Sequence, residues 1–179
     1  MNDGLIPKRY AKALYKLGLE NGDTQEIYEL LKPISRGISG LDDVKRVLLN
    51  PRVKDEDKGK VMMQLIGAKP GSSLDKFILL VIKNNRTELL RRIALSYVNI
   101  YREEHNILRL VITTAAELPQ EKIDNIVAVV KERLGDATLE IEQQIDPELI
   151  GGFTVKVGDI LLNASVKNEL NQLRLKLIS

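Results

Sequence analysis

The chain has 179 residues, of which 44% are hydrophobic and 29% charged, with a formal net charge of +2. This balance is typical of a folded globular protein and excludes a disordered one. The absence of cysteine excludes disulfides, thiolate metal sites and cysteine nucleophiles. No apolar stretch approaches the roughly 18 residues that span a bilayer, so we expect any membrane association to occur through a partner.

Residues 5–105 are predicted to form a bundle of six helices, because apolar residues recur at helical spacing between glycine and proline stops. Pro33 falls inside the second helix and should kink it. The fifth helix, "LDKFILLVIKNN", is apolar almost all round, so we expect its neighbours to surround it. In chain order, the predicted helices start near Pro7, Thr24, Leu41, Asp55, Ser72 or Ser73, and Glu88, and they end near Asn21, Gly40, Leu49, Ile66, Asn85 and Glu103.

After His105 the apolar spacing becomes that of a strand, with every second residue apolar in "ILRLVITTA" and "ATLEIEQQI". A helix from Pro119 to Gly135 separates these two strands, and Gly158-Asp159 suits a two-residue hairpin. Ser165 is predicted to cap a last helix with Val166, Leu170, Leu173 and Leu177 on one side. The sequence therefore predicts an α+β protein of two domains, a six-helix bundle over 1–105 and a β-α-β-β-β-α domain over 106–179.

The segment "ELIGGFTVKVGDILLNAS" resembles a phosphate-binding loop only in its glycines. Gly151-Gly152 precedes a strand, and within this segment no lysine follows a glycine as a P-loop requires. His105 lies in a charged setting at a helix end, which favours a surface histidine over a catalytic base. The acidic start of the fourth helix lacks the ligand spacing of a calcium loop. We therefore predict no catalytic, cofactor-binding or metal-binding residue and no enzymatic activity.

Several segments in register resemble the delta subunit family of the rotary F-type ATP synthase, whose mitochondrial equivalent is the oligomycin-sensitivity-conferring protein. They are "RYAKALYKLGLENG" near the start, "LLNPRV", "FILLVIKNNR", "IDPELIGGFTVKVGD", "ASV" and the terminal leucine-spaced helix. The resemblance covers essentially the whole chain. Two positions depart from the family pattern, since Asn163 stands where an aspartate is usual and Gly18 where an alanine is common.

The resemblance implies a non-catalytic peripheral-stalk subunit that needs no cofactor. The helical domain would grip the N-terminal helix of an alpha subunit, and the C-terminal domain would bind the C-terminal end of the b-subunit stalk. The protein would be one copy in a hetero-oligomeric complex, a peripheral membrane protein on the cytoplasmic face of the bacterial inner membrane, without direct membrane insertion.

The first helix has an apolar stripe that looks exposed, and its small residues Ala11 and Gly18 would let a foreign helix approach. We therefore predict the alpha site in a groove between the first and fifth helices. The predicted partner-binding residues are Tyr10, Ala11, Leu14, Tyr15, Gly18, Leu79, Ile82 and Lys83. The residues to which the family motifs assign a structural role are Asn85, Arg86, Gly151, Gly152, Gly158, Asp159, Ser165 and Leu170.

Two other functions remain open on sequence alone. The first 105 residues are net basic, including Arg86, Arg91 and Arg92, which would suit an RNA-binding helical bundle. The charges are not concentrated in a stripe, however, and aromatic residues for base stacking are few, which argues against nucleic acid. A generic adaptor with unrelated protein partners is the second alternative.

Overall fold

The computed structural model describes residues 4–37, 47, 50, 52–149, 151–158 and 160–165. These residues form six α-helices and one four-stranded β-sheet, which confirms the predicted α+β class. The contacts between residues divide the chain into two compact units, and the boundary in the sequence lies between Glu104 and His105. The third predicted helix (41–49), apart from residue 47, and the last predicted helix (from 166) lie outside the described residues.

The first unit consists of helices that mostly end where the sequence predicts. Gly22 and Gly67 follow two of the helices with φ of 71° and 74°, the left-handed conformation that glycine adopts most easily. Ser72 caps another by accepting a hydrogen bond from the Asp75 N–H at 3.3 Å. The elements are α1 (Leu5–Asn21), α2 (Thr24–Arg36), α3 (Asp55–Ile66), α4 (Ser73–Lys83), a 3-10 turn (Thr87–Leu89) and α5 (Leu90–Glu104).

Two expectations about this unit are wrong. The second helix ends at Arg36 rather than near Gly40, because Gly37 leaves the helical conformation with φ of 89°. The fifth predicted helix, α4, is not surrounded by its neighbours, since Leu79 and Leu80 are both exposed. The bundle therefore leaves one apolar side of α4 open to solvent.

The core of the first unit combines aliphatic and tyrosine side chains from α1, α2 and α5. The fully buried Tyr97 donates a hydrogen bond from its hydroxyl to the Thr24 carbonyl at 3.0 Å, at the start of α2. The rings of Tyr28 and Tyr101 stack with centroids 4.2 Å apart. Burial, and then the nearby Asp23 carboxylate, raise the pKa of Tyr97 well above its ordinary value.

This raised pKa predicts that the first unit loses stability in alkali. Above a pH of about 10, Tyr97 ionises in the unfolded chain but stays neutral in the folded chain. Each further pH unit therefore lowers the free energy of unfolding by up to about 1.4 kcal/mol. Tyr97→Phe should cost about 1 kcal/mol at pH 8 through the lost hydrogen bond and should flatten the decline above pH 10. Urea unfolding followed by circular dichroism between pH 8 and 11 measures both effects. Parallel declines for the two proteins would contradict this role for Tyr97.

The second unit is a four-stranded sheet with one described helix. Its elements are β1 (Ile107–Thr114), α6 (Gln120–Leu134), β2 (Thr138–Ile145), a 3-10 turn (Pro147–Leu149), β3 (Gly152–Val157) and β4 (Ile160–Ser165). The strand order is β2-β1-β3-β4, with β1 parallel to β2 and antiparallel to β3. The pair Val157 and Ile160 closes the two-residue hairpin predicted between β3 and β4.

The core of the second unit lies between α6 and one face of the sheet. Leu110 and Ile112 of β1, Ile123 of α6 and Val155 of β3 are its buried residues. Leu110 and Ile112 have the period of two that the sequence predicts for a strand. Ile126, Val127 and Val130 pack beside Ile123 at the helical spacing predicted for α6. The opposite face of the sheet is more polar, since Arg109 and Glu142 form an ion pair there at 2.8 Å.

Candidate functional site

Two hydrogen bonds hold α1 and α4 side by side in opposite directions. Near the start of α1, Tyr10 accepts a hydrogen bond from the Asn84 side chain at 3.0 Å, and the Tyr10 ring packs edge-on against Phe77. At the other end, the Asn21 side chain donates to the Ser73 hydroxyl at 2.8 Å. Because both ends of the pair are fixed, the surface between the two helices has a defined width.

The stripe of α1 that looked exposed in the sequence is largely buried. Ala11 and Leu14 have 0% exposure, and Gly18 is buried against the start of α2. These residues pack into the bundle of the first unit, so the expectation that they form an open stripe is wrong. Small residues at these positions let α2 and α5 approach α1, and no foreign helix is needed to explain them.

A neighbouring stripe of α1 is accessible instead. Tyr10 contacts α4, and the residues four before it and three and seven after it share its side of the helix. Of this stripe, Ala13 is exposed and the others are half-buried. The sequence contained this stripe, because its members have the same helical spacing as the buried one. The accessible stripe consists of Ile6, Tyr10, Ala13 and Leu17.

On α4, the accessible apolar residue beside α1 is Leu80. It lies three residues after Phe77 and four before Asn84, which both contact Tyr10, so it shares their side of α4. The predicted Leu79 is also exposed but lies beside α3, since a Cβ on Gly59 would approach its side chain to 2.7 Å. Sequence reasoning missed Leu80 because "FILLVIK" gives no sign of which leucine faces α1.

The remaining predicted partner-binding residues are divided between different surroundings. Ile82 is buried in the bundle, whereas Lys83 is exposed. Tyr15 packs edge-on against Tyr97 of α5, on a different side of α1 from Tyr10. Burial, followed by the Glu104 and Tyr101 charges, raises the pKa of Tyr15. We use the name α1–α4 groove for the surface formed by Ile6, Tyr10, Ala13, Leu17 and Leu80.

The family-motif residues that the structure describes shape turns. Asn85 adopts a left-handed φ of 52° after α4, and the Arg86 N–H then bonds the Val81 carbonyl at 2.9 Å, which ends the helix. Gly152 and Gly158 have φ of 76° and 55° at the two ends of β3, conformations that favour glycine. Gly151 precedes β3 and Ser165 is the last residue of β4, whereas Asp159 and Leu170 lie outside the described residues.

The second unit contains an apolar groove of about 440 Å³ between α6 and the β3–β4 hairpin. Almost all of its lining atoms are carbon, and Asn125 contributes its one polar side chain among the described lining residues. Such a lining suits an apolar helix face better than a charged or sugar ligand. We use the name hairpin groove for this surface, which includes Ile126, Val130, Phe153, Ile160 and Leu162.

Over the part of the chain that the structure describes, no cluster of three or more histidine, aspartate or glutamate side chains could hold a metal ion. None of the described helices is both long and apolar enough to cross a membrane. His105 is exposed at the boundary between the units. Among the described residues, the α1–α4 groove and the hairpin groove are the apolar surfaces that we consider as binding sites.

The chain is similar to proteins of one family. The family model for the ATP synthase delta (OSCP) subunit matches residues 6–177. "ATP synthase subunit delta" of Phocaeicola vulgatus is 32% identical over 177 residues, covering 98% of this chain and 95% of that protein. The protein of the same name from Desulforudis audaxviator is 30% identical over 174 residues, covering 97% and 95%.

A solved structure has the same fold. One chain of the cryo-EM structure of the Toxoplasma gondii mitochondrial ATP synthase hexamer superposes with a TM-score of 0.65. The match covers 97% of both chains at 22% sequence identity.

Proposed function

The chain belongs to the ATP synthase delta (OSCP) subunit family and is a non-catalytic peripheral-stalk subunit, and from this premise we propose how it makes its attachments. The first unit binds the N-terminal helix of an alpha subunit in the α1–α4 groove. The second unit binds the C-terminal end of the b subunit. The protein thereby prevents the catalytic head from turning with the rotor, on the cytoplasmic face of a bacterial inner membrane.

The observation that supports the alpha site best is the open apolar side of α4 beside α1. Leu80 is 48% exposed beside the accessible stripe of α1, so the two helices together present an apolar patch rather than a single exposed leucine. An amphipathic helix that places two or three apolar residues along this groove would bury Leu80 and the accessible stripe of α1. The hydrogen bonds at both ends of the α1–α4 pair keep the groove open, so binding would need little rearrangement.

The charges beside the groove indicate what kind of helix it would accept. Lys76 and Lys83 lie four residues before and three after Leu80, so they share its exposed side of α4. Carboxylates flanking the apolar stripe of the partner helix would complement these lysines and speed association. The proposed occupant is thus an amphipathic helix with acidic residues beside its apolar stripe.

The proposal for the second unit rests on its exposed apolar residues and on the family. Ile141 and Ile145 are exposed on β2, the edge strand farthest from β4. Because these two isoleucines lie on the same face of an edge strand, they provide apolar surface for a partner. The RNA-binding alternative is not favoured, because the family assignment covers residues 6–177 and supports a peripheral-stalk subunit.

Reconstitution tests the proposed function. Membranes depleted of their own delta subunit should lose ATP-driven proton pumping while the detached head still hydrolyses ATP. Adding this protein should restore pumping, measured by the quenching of a pH-sensitive dye, and should increase the amount of head bound to the membrane. Pumping that stays absent although the protein binds both head and membrane would contradict the mechanical role.

A further inference from the structure

Strand β2 is an edge of the sheet in the second unit, since β1 is its only neighbour among the described strands. Its pairing with β1 runs unbroken over all eight residues, from Thr138 to Ile145. Natural proteins usually protect such an edge from further pairing with a lysine, a proline or a bulge. The strand "TLEIEQQI" contains neither lysine nor proline, and its register has no bulge. The β2 edge is therefore able to pair with another strand.

The hydrogen bonds to β1 show which backbone groups of β2 point away from the sheet. Thr138 and Asp146 donate their N–H groups to the carbonyls of Asn106 and Thr114, at 3.1 and 2.8 Å. Because the direction of the backbone groups alternates along a strand, the even-numbered residues of β2 bond to β1 and the odd-numbered residues point outward. Within the described part of the chain, no hydrogen bond uses these outward groups. They belong to Leu139, Ile141, Gln143 and Ile145.

The side chains of these outward residues lie on the face of the sheet that carries α6. Ile141 pairs in register with Leu110, whose side chain is buried in the core with Ile123 of α6. Paired residues of neighbouring strands project to the same side of a sheet. Ile141 is nevertheless 46% and Ile145 55% exposed, so α6 does not cover this edge. A further strand would therefore extend both the hydrogen-bond ladder and the apolar face.

The opposite face of β2 carries carboxylates. Glu140 and Glu142 alternate with the apolar residues, and Arg109 of β1 forms an ion pair with Glu142 at 2.8 Å. On this face of β1 and β2, the described charged residues are these two glutamates and one arginine, so the face has a net negative charge. A lysine or arginine next to Glu140 in a neighbouring strand would be stabilised, as opposite charges across strands are. The edge thus favours a strand that is apolar on one face and basic on the other.

We propose that β2 binds an extended segment of a partner protein, in which apolar residues alternate with lysine or arginine, as a fifth strand of the sheet. Backbone hydrogen bonds to the outward groups of β2 provide affinity, and the alternating side chains provide specificity. A second copy of this chain fits poorly, because two β2 strands paired antiparallel about Ile141 would place Glu140 of one copy opposite Glu142 of the other. The inference goes beyond the proposed function, since it defines the chemistry of the segment and not the subunit that supplies it.

Hydrogen exchange of the backbone amides, measured by NMR on the full-length protein, tests this proposal. The probe is a synthetic peptide of about ten residues in which valine alternates with lysine. At saturating peptide, the outward amides of Ile141, Gln143 and Ile145 should exchange at least about tenfold more slowly. The even-numbered amides of β2, which already bond to β1, should change little. A peptide in which valine alternates with glutamate is the matched control and should protect none of them.

Proline at an outward position blocks the added ladder without removing a bond to β1. Gln143→Pro lacks one outward N–H, and edge strands tolerate proline at such positions. This variant should bind the lysine peptide at least about tenfold more weakly, whereas Gln143→Ala, which keeps the N–H, should bind it as the natural protein does. Glu140→Gln tests the charge without a proline, in case proline disturbs the strand, and should weaken binding about two- to fivefold.

Several results would overturn the proposal. One is unchanged exchange of the outward amides in the presence of the lysine peptide. Another is protection of these amides in the protein alone, which would indicate a second copy if it increased with protein concentration and a segment of this chain if it did not. Equal binding of the peptide by Gln143→Pro and Gln143→Ala would place it elsewhere on the protein and overturn the proposal as well.

Discussion

Ala11→Leu should destabilise the first unit by about 2 kcal/mol and Gly18→Leu by about 3 kcal/mol, the range observed when buried sites are overfilled. Ala11 has no exposed surface, so three additional carbons must displace neighbours in α2 or α5. At Gly18 even a Cβ would lie 3.1 Å from Thr24 Cγ2 and 3.2 Å from Ile27 Cδ1. A leucine side chain beyond that atom would push α2 away from α1.

Tyrosine fluorescence during urea unfolding measures this effect in the first unit alone. All five tyrosines lie before Glu104, and the chain has no tryptophan. The transition of the first unit can therefore be followed in the full-length protein without a signal from the second. A lower urea midpoint with an unchanged slope would indicate lost stability rather than a changed unfolded state.

Ala13→Leu is the matched control, because Ala13 is on the same helix but exposed. Alanine and leucine have similar helix propensity, so we expect this change to alter stability by less than about 0.5 kcal/mol. If Ala11→Leu and Ala13→Leu destabilised the first unit equally, this result would contradict the burial of Ala11 in the core. If Ala11 and Gly18 were on the exposed stripe that the sequence predicted, bulky residues there would instead weaken partner binding and leave the bundle folded.

The reason for that error is a limit of helical periodicity. In α1, the stripe of Pro7, Ala11, Leu14 and Gly18 and the stripe that includes Tyr10 both have helical spacing. The pattern shows that the helix has two apolar sides, but only the packing of α2 and α5 shows which one is in the core. The groove between α1 and α4 stays a prediction, but most of the residues predicted for it on α1 lie in the core, and of these only Tyr10 belongs to the accessible stripe.

Local conformational requirements were easier to predict than burial. Glycines after α1 and α3, the two-residue hairpin at Gly158 and the strand pattern of β1 follow from steric rules that act over a few residues. The end of α2 was placed wrongly because the apolar pattern continues to Ile38. Gly37 ends the helix before that residue, and glycine is only one of several residues that could do so.

Leu80→Asp should weaken binding of a synthetic alpha N-terminal peptide by about 2 kcal/mol or more, roughly 30-fold in Kd. The loss has two physical sources. The partner helix no longer buries the leucine, and the new carboxylate loses its hydration inside an apolar groove. Because Leu80 is exposed in the free protein, its replacement should leave the unfolding midpoint of the first unit nearly unchanged. Isothermal titration calorimetry with the full-length protein measures the affinity.

Leu95→Asp is the matched control, since Leu95 is also 48% exposed but lies on α5. We expect this variant to bind the peptide as the natural protein does. Leu79→Asp separates the two sides of α4, because Leu79 lies beside α3, and it should weaken binding less than Leu80→Asp. If the peptide bound Leu80→Asp and Leu95→Asp equally well, the alpha subunit would not occupy the α1–α4 groove. A larger loss from Leu79→Asp would move the site to the side of α4 that contacts α3.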